Sequence, residues 1–95
     1  MPDKRPVVFL GTPAAAVVVL DALVDAGHPV PLVVSRPDAR RGRGGKVSAS
    51  PVKARAMELG LAVTDRLEDI REVSSTRDVI AVVVAYGRII PAHIL

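Results

Sequence analysis

The chain has 95 residues, 49% of them hydrophobic, which is enough for one modest core and too many for a disordered protein. It has no cysteine, two separated histidines and only two aromatic residues, so we expect no disulfide, no metal site and no stacking platform for single-stranded nucleic acid. Its net charge of +3 is unevenly distributed, because seven of its 13 Lys and Arg residues lie between Arg36 and Arg55, where Asp38 is the only acid.

The first apolar run, Val7–Leu10, does not alternate with polar residues, which predicts a strand buried on both faces. Lys4 and Arg5 before it resemble the basic start of a signal peptide. Gly11–Pro13 interrupts the run, however, and similar runs recur later in the chain, so we expect a cytoplasmic domain. No run reaches the ~18 residues that span a bilayer, so no membrane partner is expected.

Thr12 and Pro13 predict the start of a helix, with Thr12 as the N-cap and Pro13 at the first helical position. Apolar residues then recur at helical spacing as far as Ala26, and Gly27 provides a C-terminal stop. The apolar segment Val30–Ser35 predicts a second buried strand, after which the basic residues begin.

Ser50 and Pro51 repeat this pattern of cap and proline, and they predict a helix over Val52–Leu59 that Gly60 ends. Four further elements are predicted in the rest of the chain. There is a short strand at Leu61–Val63, followed by one or two helical turns at Leu67–Ser75. The most strongly apolar strand is Val79–Ala85, and Pro91 is the first residue of another helix.

The alternation of helices with unbroken apolar strands predicts a Rossmann-like α/β fold, a doubly wound, right-handed parallel sheet of about four strands. Val79–Ala85 would lie beside a strand that these 95 residues do not supply, so we expect its apolar edge to favour self-association. Such sheets bind ligands at the carboxyl ends of their strands. Here those ends are Gly11–Pro13, Ser35–Ser50 and Tyr86–Ile90.

Each of these three ends has two interpretations. Gly11 lies in a segment without the G-x-G-x-x-G or Gly-Lys-Ser/Thr pattern of nucleotide-binding loops. Either it serves only a tight turn, or the start of the helix faces an anion or a polar substrate group. The basic loop, residues 36–50, is a solvated loop or binds nucleic-acid phosphates; we favour phosphates, because like charges at this density repel one another without an anionic partner. At the third end, Tyr86 closes the core and Gly87 only turns the chain, or the backbone groups there form an apolar slot with Ile89 and Ile90. Such a slot could bind a flat heterocycle through main-chain hydrogen bonds.

Three segments taken together, VVFLGTP, RPDARRGRGGKVSASPVKARAMELGLAV and VVVAYGRIIP, resemble the N-terminal part of the bacterial methionyl-tRNA formyltransferase family. The resemblance extends from about Val7 to Leu95, so residues 1–95 are interpreted as a partial N-terminal formyltransferase domain that includes the basic loop 36–50. It implies transfer of a formyl group from 10-formyltetrahydrofolate to the amino group of methionyl initiator tRNA, in translation initiation.

The resemblance also implies roles for individual residues. The tRNA-binding residues would be five cations of the basic loop, of which Arg43 is the most specific: Arg36, Arg40, Arg41, Arg43 and Lys46. Three residues would lie beside the methionine and the terminal nucleotide: Gly11, Thr12 and Pro13. Five residues would line the folate pocket: Tyr86, Gly87, Arg88, Ile89 and Ile90.

Two of the chain's departures from the family pattern concern the active site. Ala14 and Ala15 stand where an acidic residue and a phenylalanine are usual, which removes an aromatic wall expected near the methionine or the folate. The family's catalytic Asn, His and Asp lie downstream of the Ala-Tyr-Gly strand; the 95 residues contain no Asn, and His93 falls in the last predicted helix. Formyl transfer needs an oxyanion donor and a base for the amine proton, so we expect the chain alone to be inactive.

Two other functions fit parts of the sequence. A non-catalytic α/β module could use the basic loop 36–50 to bind RNA through its phosphates. A fragment of a sugar formyltransferase would share the Tyr86–Ile90 segment, but the tRNA-type basic loop argues against that assignment.

Overall fold

The computed structural model describes residues 5–41, 46–76 and 78–84, and strands alternate with helices along them. The first elements are β1 (Val7–Gly11), α1 (Ala14–Asp25) and β2 (Leu32–Val34). A hairpin and a helix follow: β3 (Ala39–Arg41), β4 (Lys46–Ser48) and α2 (Pro51–Glu58). The last elements are β5 (Val63–Thr64), α3 (Asp69–Thr76) and β6 (Ile80–Val84).

Four of the strands form a parallel sheet in the order β5-β2-β1-β6. The chain runs outward from β1 to β2 and β5, and it then returns to place β6 on the other side of β1. The crossovers contain α1, α2 and α3 in turn. This arrangement confirms the predicted doubly wound α/β fold, and its topological switch point lies between β1 and β6.

Both faces of β1 and β2 are buried, because successive side chains of a strand point to opposite faces of the sheet. One face packs against residues in and just before α3, in a cluster of Val8, Leu10, Leu32, Val34, Leu67 and Ile70. The other face packs against α1 and α2, in a cluster of Phe9, Val33, Val30, Ala16, Leu20, Val52 and Ala56. Coverage on both faces explains why these strands are unbroken apolar runs.

The two helices with proline near their start begin differently. Ser50 caps α2 as predicted, because its Oγ accepts a hydrogen bond from the backbone N–H of Lys53 at 3.0 Å, and Pro51 is the first helical residue. The prediction that Thr12 caps α1 is wrong. Pro13 occupies the cap position with extended backbone (φ −80°, ψ 170°), and the Thr12 hydroxyl instead bonds to the backbone that follows β2.

Glycine ends the first two crossover helices as predicted. Gly27 and Gly60 follow α1 and α2 with φ values of 89° and 73°, in the left-handed region that glycine adopts without strain. The segment expected to form one or two helical turns is the eight-residue helix α3. Among the residues that the structure describes, no helix is long and apolar enough to cross a membrane.

The expectation of a loop over residues 36–50 is corrected by a short antiparallel hairpin. The three register pairs of β3 with β4 are Ala39 with Ser48, Arg40 with Val47 and Arg41 with Lys46. We call β3 and β4 the cationic hairpin, and residues 36–50 the basic segment. Residues 42–45 lie outside the described residues, so the position of Arg43 is not assigned.

Candidate functional site

The carboxyl ends of the parallel strands form one edge of the sheet. Gly11 ends β1 at this edge, Ser35 and Arg36 follow β2 there, and Val84 ends β6 directly opposite Gly11. The sheet therefore brings the turn Gly11–Pro13 and the start of the basic segment to the edge where doubly wound folds bind ligands. We take this edge as the candidate site.

Gly11 is required by close packing. A Cβ built at this buried position would lie 2.8 Å from Phe9 Cε2, 2.9 Å from Ala16 Cβ and 3.0 Å from the carbonyl oxygen of Val84. Its backbone is not left-handed, unlike the helix-ending glycines. Gly11 thus allows β1, the start of α1 and the end of β6 to approach one another at the switch point.

Thr12 connects the turn to both flanks of the basic segment. The backbone N–H of Arg36 donates to Thr12 Oγ1 at 3.4 Å. The backbone N–H of Val52 donates to the carbonyl oxygen of Thr12 at 3.2 Å. Thr12 is half-buried and Pro13 is exposed, so the residues predicted to contact the methionine and the terminal nucleotide form a surface turn held against the basic segment.

A buried pair of serine hydroxyls lies beneath the cationic hairpin. Ser35 follows β2 and Ser50 precedes α2, and their Oγ atoms share a hydrogen bond. The two residues are 1% and 0% exposed, respectively. Ser50 Oγ also accepts the N–H of Lys53, so the helix cap and the hydroxyl pair use the same atom. Fifteen residues separate these serines in sequence, and the pair closes the base of the intervening hairpin.

Lys53 and Arg55, the last two cations of the Arg36–Arg55 window, form ion pairs within the protein. Lys53 Nζ lies 2.8 Å from Asp38 Oδ1. The Arg55 guanidinium lies 2.8 Å from Asp21 on α1 and 3.0 Å from Glu58 on α2, and the hydrogen bond to Asp21, followed by that to Glu58, raises the pKa of Arg55. The other five cations of the window are those that the sequence predicts to contact tRNA.

The cationic hairpin places basic residues opposite one another. Arg41 on β3 pairs in register with Lys46 on β4, and Arg40 pairs with Val47. Like charges directly opposite in an antiparallel pair destabilise it, and a bound anion relieves the repulsion. The two strands of the hairpin thus contain three of the five cations that the sequence predicts to contact tRNA. Arg36 lies at its base, half-buried, at the carboxyl end of β2.

A cavity of about 240 Å³ opens beside the hairpin base, between the carboxyl ends of β2 and β5. It is lined by Ser35, Arg36, Pro37, Lys53, Val63, Thr64 and Asp65. Its charged side chains are of both signs, and the Thr64 hydroxyl already donates to Asp69 Oδ2 at 2.6 Å. Across residues 5–41, 46–76 and 78–84, no three His, Cys, Asp or Glu side chains group closely enough to hold a metal ion.

The five residues predicted to line a folate pocket follow β6 in sequence. They are Tyr86, Gly87, Arg88, Ile89 and Ile90, and all of them lie outside the described residues. What the structure describes is the end of β6, where Val84 pairs with Gly11 at the carboxyl edge of the sheet. In sequence, only Ala85 separates Val84 from the start of the predicted folate segment.

The sequence interpretation missed the contacts that fasten the hairpin base. It identifies Ser35 only as a strand end and Ser50 only as a helix cap, and it assigns no role to Asp38. One signal is present in the sequence, because Asp38 is the single acid among seven cations and thus a candidate for an internal ion pair. The serine pair gives no local signal, since its partners are 15 residues apart.

Comparison with known proteins identifies close relatives of the chain, although no family model matches it. It is 48% identical over 93 residues to a methionyl-tRNA formyltransferase of Prochlorococcus marinus strain MIT 9303, a match that covers 92% of this chain and 27% of the relative. Corresponding enzymes of Heliobacterium modesticaldum and Dinoroseobacter shibae are 48% and 50% identical, with 93% of this chain covered in both cases. The chain spans about 30% of the length of the curated relatives that it matches.

Proposed function

Because the chain belongs to the methionyl-tRNA formyltransferase family, whose N-terminal part it matches, we propose that it contains the surface that binds the acceptor end of methionyl initiator tRNA. In the whole enzyme this surface would present the amino group of the methionine for formylation by 10-formyltetrahydrofolate. The reaction belongs to translation initiation, so the proposal includes a cytoplasmic location.

The observation that carries the proposal is the cationic hairpin anchored beside the turn Gly11–Pro13. The hairpin pairs Arg41 with Lys46 in register, which favours binding of phosphates. Its base is hydrogen-bonded to Thr12, so a nucleic acid on the hairpin would lie close to the turn. Phosphate contacts on the hairpin would fix the position of the RNA, and the turn would face the aminoacylated end.

Charge removal from the hairpin tests this proposal. Replacement of Arg40, Arg41, Arg43 and Lys46 by glutamine should weaken binding of methionyl initiator tRNA and flatten its salt dependence. The log–log slope should fall by up to ~0.9 for each phosphate that the protein no longer neutralises. Affinities measured at several salt concentrations, by filter binding or fluorescence anisotropy, give both quantities.

A matched pair of variants separates the hairpin from net charge. R40Q/R41Q removes two charges from β3, and R66Q/R71Q removes two from exposed positions in or just before α3. We expect R40Q/R41Q to bind tRNA more weakly and R66Q/R71Q to bind as the wild type does. Equal affinities and slopes for the two variants would show that the hairpin is a solvated spacer, and the proposed function would be wrong.

A folate site is the second part of the proposal. The residues assigned to it by resemblance are Tyr86, Gly87, Arg88, Ile89 and Ile90, which follow the end of β6 at the topological switch point. Main-chain groups there would hydrogen-bond the pterin, and Ile89 and Ile90 would supply apolar contact. Calorimetric titration of 10-formyltetrahydrofolate into wild type and Y86A tests the assignment, and equal affinities would contradict it.

Formyl transfer by the 95-residue chain alone is not expected. The sequence contains no Asn, and it contains two histidines. His28 lies at the amino edge of the sheet, away from the candidate site, with its Nδ1 3.1 Å from the backbone oxygen of Arg5. His28 is therefore not placed to accept the amine proton beside Thr12. Formylmethionyl-tRNA produced by this chain from 10-formyltetrahydrofolate would contradict this expectation.

Self-association through β6 completes the proposal. In the described sheet β6 has a hydrogen-bonded neighbour on one side, β1, and its Ile80 and Val83 side chains are 41% and 47% exposed. An exposed apolar edge strand offers a template for pairing with another strand. In solutions of the isolated chain that strand belongs to a second copy.

A further inference from the structure

Two buried hydroxyls join the ends of the basic segment. Ser35 and Ser50 share a hydrogen bond at the carboxyl end of β2 and the start of α2, and both are almost completely removed from solvent. Ser50 Oγ also accepts the N–H of Lys53, so loss of Ser35 would leave it that one bond, whereas loss of Ser50 would remove this partner from the buried Ser35 hydroxyl. The two ends of the basic segment are therefore held together at the core by this serine pair.

An ion pair joins the hairpin to α2 just above this point. Asp38 precedes β3 by one residue, and its carboxylate lies 2.8 Å from Lys53 Nζ in the first turn of α2. The two side chains are 45% and 31% exposed, respectively, so water screens the pair only in part. Because Asp38 is the only acid of the cationic window, this contact has no substitute there.

Thr12 adds a third connection, to the other part of the candidate site. Its side chain and its carbonyl oxygen accept N–H groups from Arg36 and Val52, which flank the basic segment on its two sides. The base of the hairpin is consequently fixed relative to the turn Gly11–Pro13.

The cationic hairpin is a short sheet of its own. β3 and β4 have three residues each, and they pair with one another in a sheet separate from the four-stranded one. A two-stranded hairpin is marginally stable in water, and the register pair of Arg41 with Lys46 opposes its formation. The contacts at its base therefore contribute to its orientation.

We propose that Ser35, Ser50, Asp38 and Lys53 are positioning residues for RNA, and we call them the hairpin clamp. The clamp orders the cationic hairpin before RNA arrives, so that less conformational freedom is given up on binding and the affinity is higher. The inference rests on the proposed function, and the partner is the sugar-phosphate backbone of a tRNA acceptor end. Asp38 and the two serines act by positioning the hairpin, and they do not contact the RNA themselves.

The clamp and simple electrostatics make opposite predictions for Asp38. D38N removes a negative charge from a cationic window, so charge alone predicts tighter binding of tRNA. Without the ion pair to Lys53 the hairpin base loses one of its connections, so the clamp predicts weaker binding in spite of the added positive charge. D38E, which keeps the carboxylate, should recover most of the affinity.

A charge-neutral double variant gives the decisive measurement. D38N/K53M removes the ion pair without changing the net charge, and R71Q/E72Q removes an adjacent, exposed base and acid of α3 as the matched control. With methionyl initiator tRNA as the probe, D38N/K53M should bind about two- to fivefold more weakly than R71Q/E72Q, with the same salt slope. S35A, which breaks the buried half of the clamp, should also bind more weakly, and urea unfolding of every variant checks that it is folded.

The outcomes separate the clamp from the proposed function. If R40Q/R41Q loses affinity while D38N/K53M and R71Q/E72Q bind equally, the clamp is wrong and RNA binding by the hairpin stands. A salt slope flattened by ~0.9 in D38N/K53M would show that Lys53 contacts a phosphate directly and would remove it from the clamp. Wild-type affinity in R40Q/R41Q would overturn both the proposed function and the clamp.

Discussion

Strands β1 and β6 lie side by side and are paired over five residues, yet their surroundings differ. Val7–Gly11 pairs in parallel register with Ile80–Val84, and both sequences are apolar throughout. Every residue of β1 is buried, whereas no residue of β6 is. Apolar composition therefore identifies both segments as strands, and the position of each strand in the sheet decides how much of it leaves water.

The physical reason is the number of neighbours. β1 has a strand on each side, with residues in and near α3 packed on one face and α1 with α2 on the other. Within the described chain, β6 has β1 on one side, and its Val82 and Val84 are only partly buried against the α1 face. Hydrophobic stabilisation scales with the apolar area removed from water, so equal side chains contribute unequally in the two strands.

The largest effect on stability is expected from truncating a β1 side chain whose register partner on β6 is exposed. Leu10 and Val83 are register partners, and they are 1% and 47% exposed, respectively. L10A should lower the free energy of unfolding by about 3 kcal/mol, because it removes buried methyl groups and leaves a cavity. V83A should lower it by less than about 0.5 kcal/mol. Urea unfolding of both variants measures the difference, and comparable losses would show that β6 is as buried as β1.

The same contrast explains what the sequence could and could not predict of the fold. An unbroken apolar run such as Val7–Leu10 predicts burial on both faces, and it does so correctly for β1 and β2. The run Val79–Ala85 has an equally strong pattern, but exposure of Val83 depends on which strands lie beside it. Register neighbours are a property of the whole sheet, and a local window does not contain them.

In the candidate site, too, contacts between residues close in sequence could be predicted, whereas contacts between distant residues could not. Ser50 was predicted correctly as a cap, because a cap bonds to an N–H three residues later in the chain. Thr12 was predicted wrongly as a cap, because its hydroxyl accepts the N–H of Arg36, 24 residues away. The hairpin was missed because Ala39–Arg41 and Lys46–Ser48 are polar and lack the alternation typical of strands.

An intermediate effect is expected where β1 and β6 approach most closely. An added Cβ at Gly11 lies within about 3 Å of the Phe9 ring, of Ala16 Cβ and of the Val84 carbonyl oxygen, so G11A should lower the free energy of unfolding by about 2 kcal/mol. G27A is the control: its surroundings are open but its φ is +89°, which predicts a decrease of about 1 kcal/mol from backbone strain. F9L should recover part of the stability in G11A and none in G27A. An unchanged G11A would show that β6 can move away from β1 freely.

The smallest effect on stability, and the sharpest test of the β6 edge, comes from a charge at Val83. V83K should change the free energy of unfolding by less than about 0.5 kcal/mol, because this side chain is 47% exposed. It should nevertheless abolish concentration-dependent association in light scattering, since lysine on an edge strand opposes pairing with a second chain. V18K places the same charge on an exposed valine of α1, 70% exposed, and should leave association unchanged. A wild-type chain that stays monomeric, or equal association of V83K and V18K, would show that β6 does not mediate self-association.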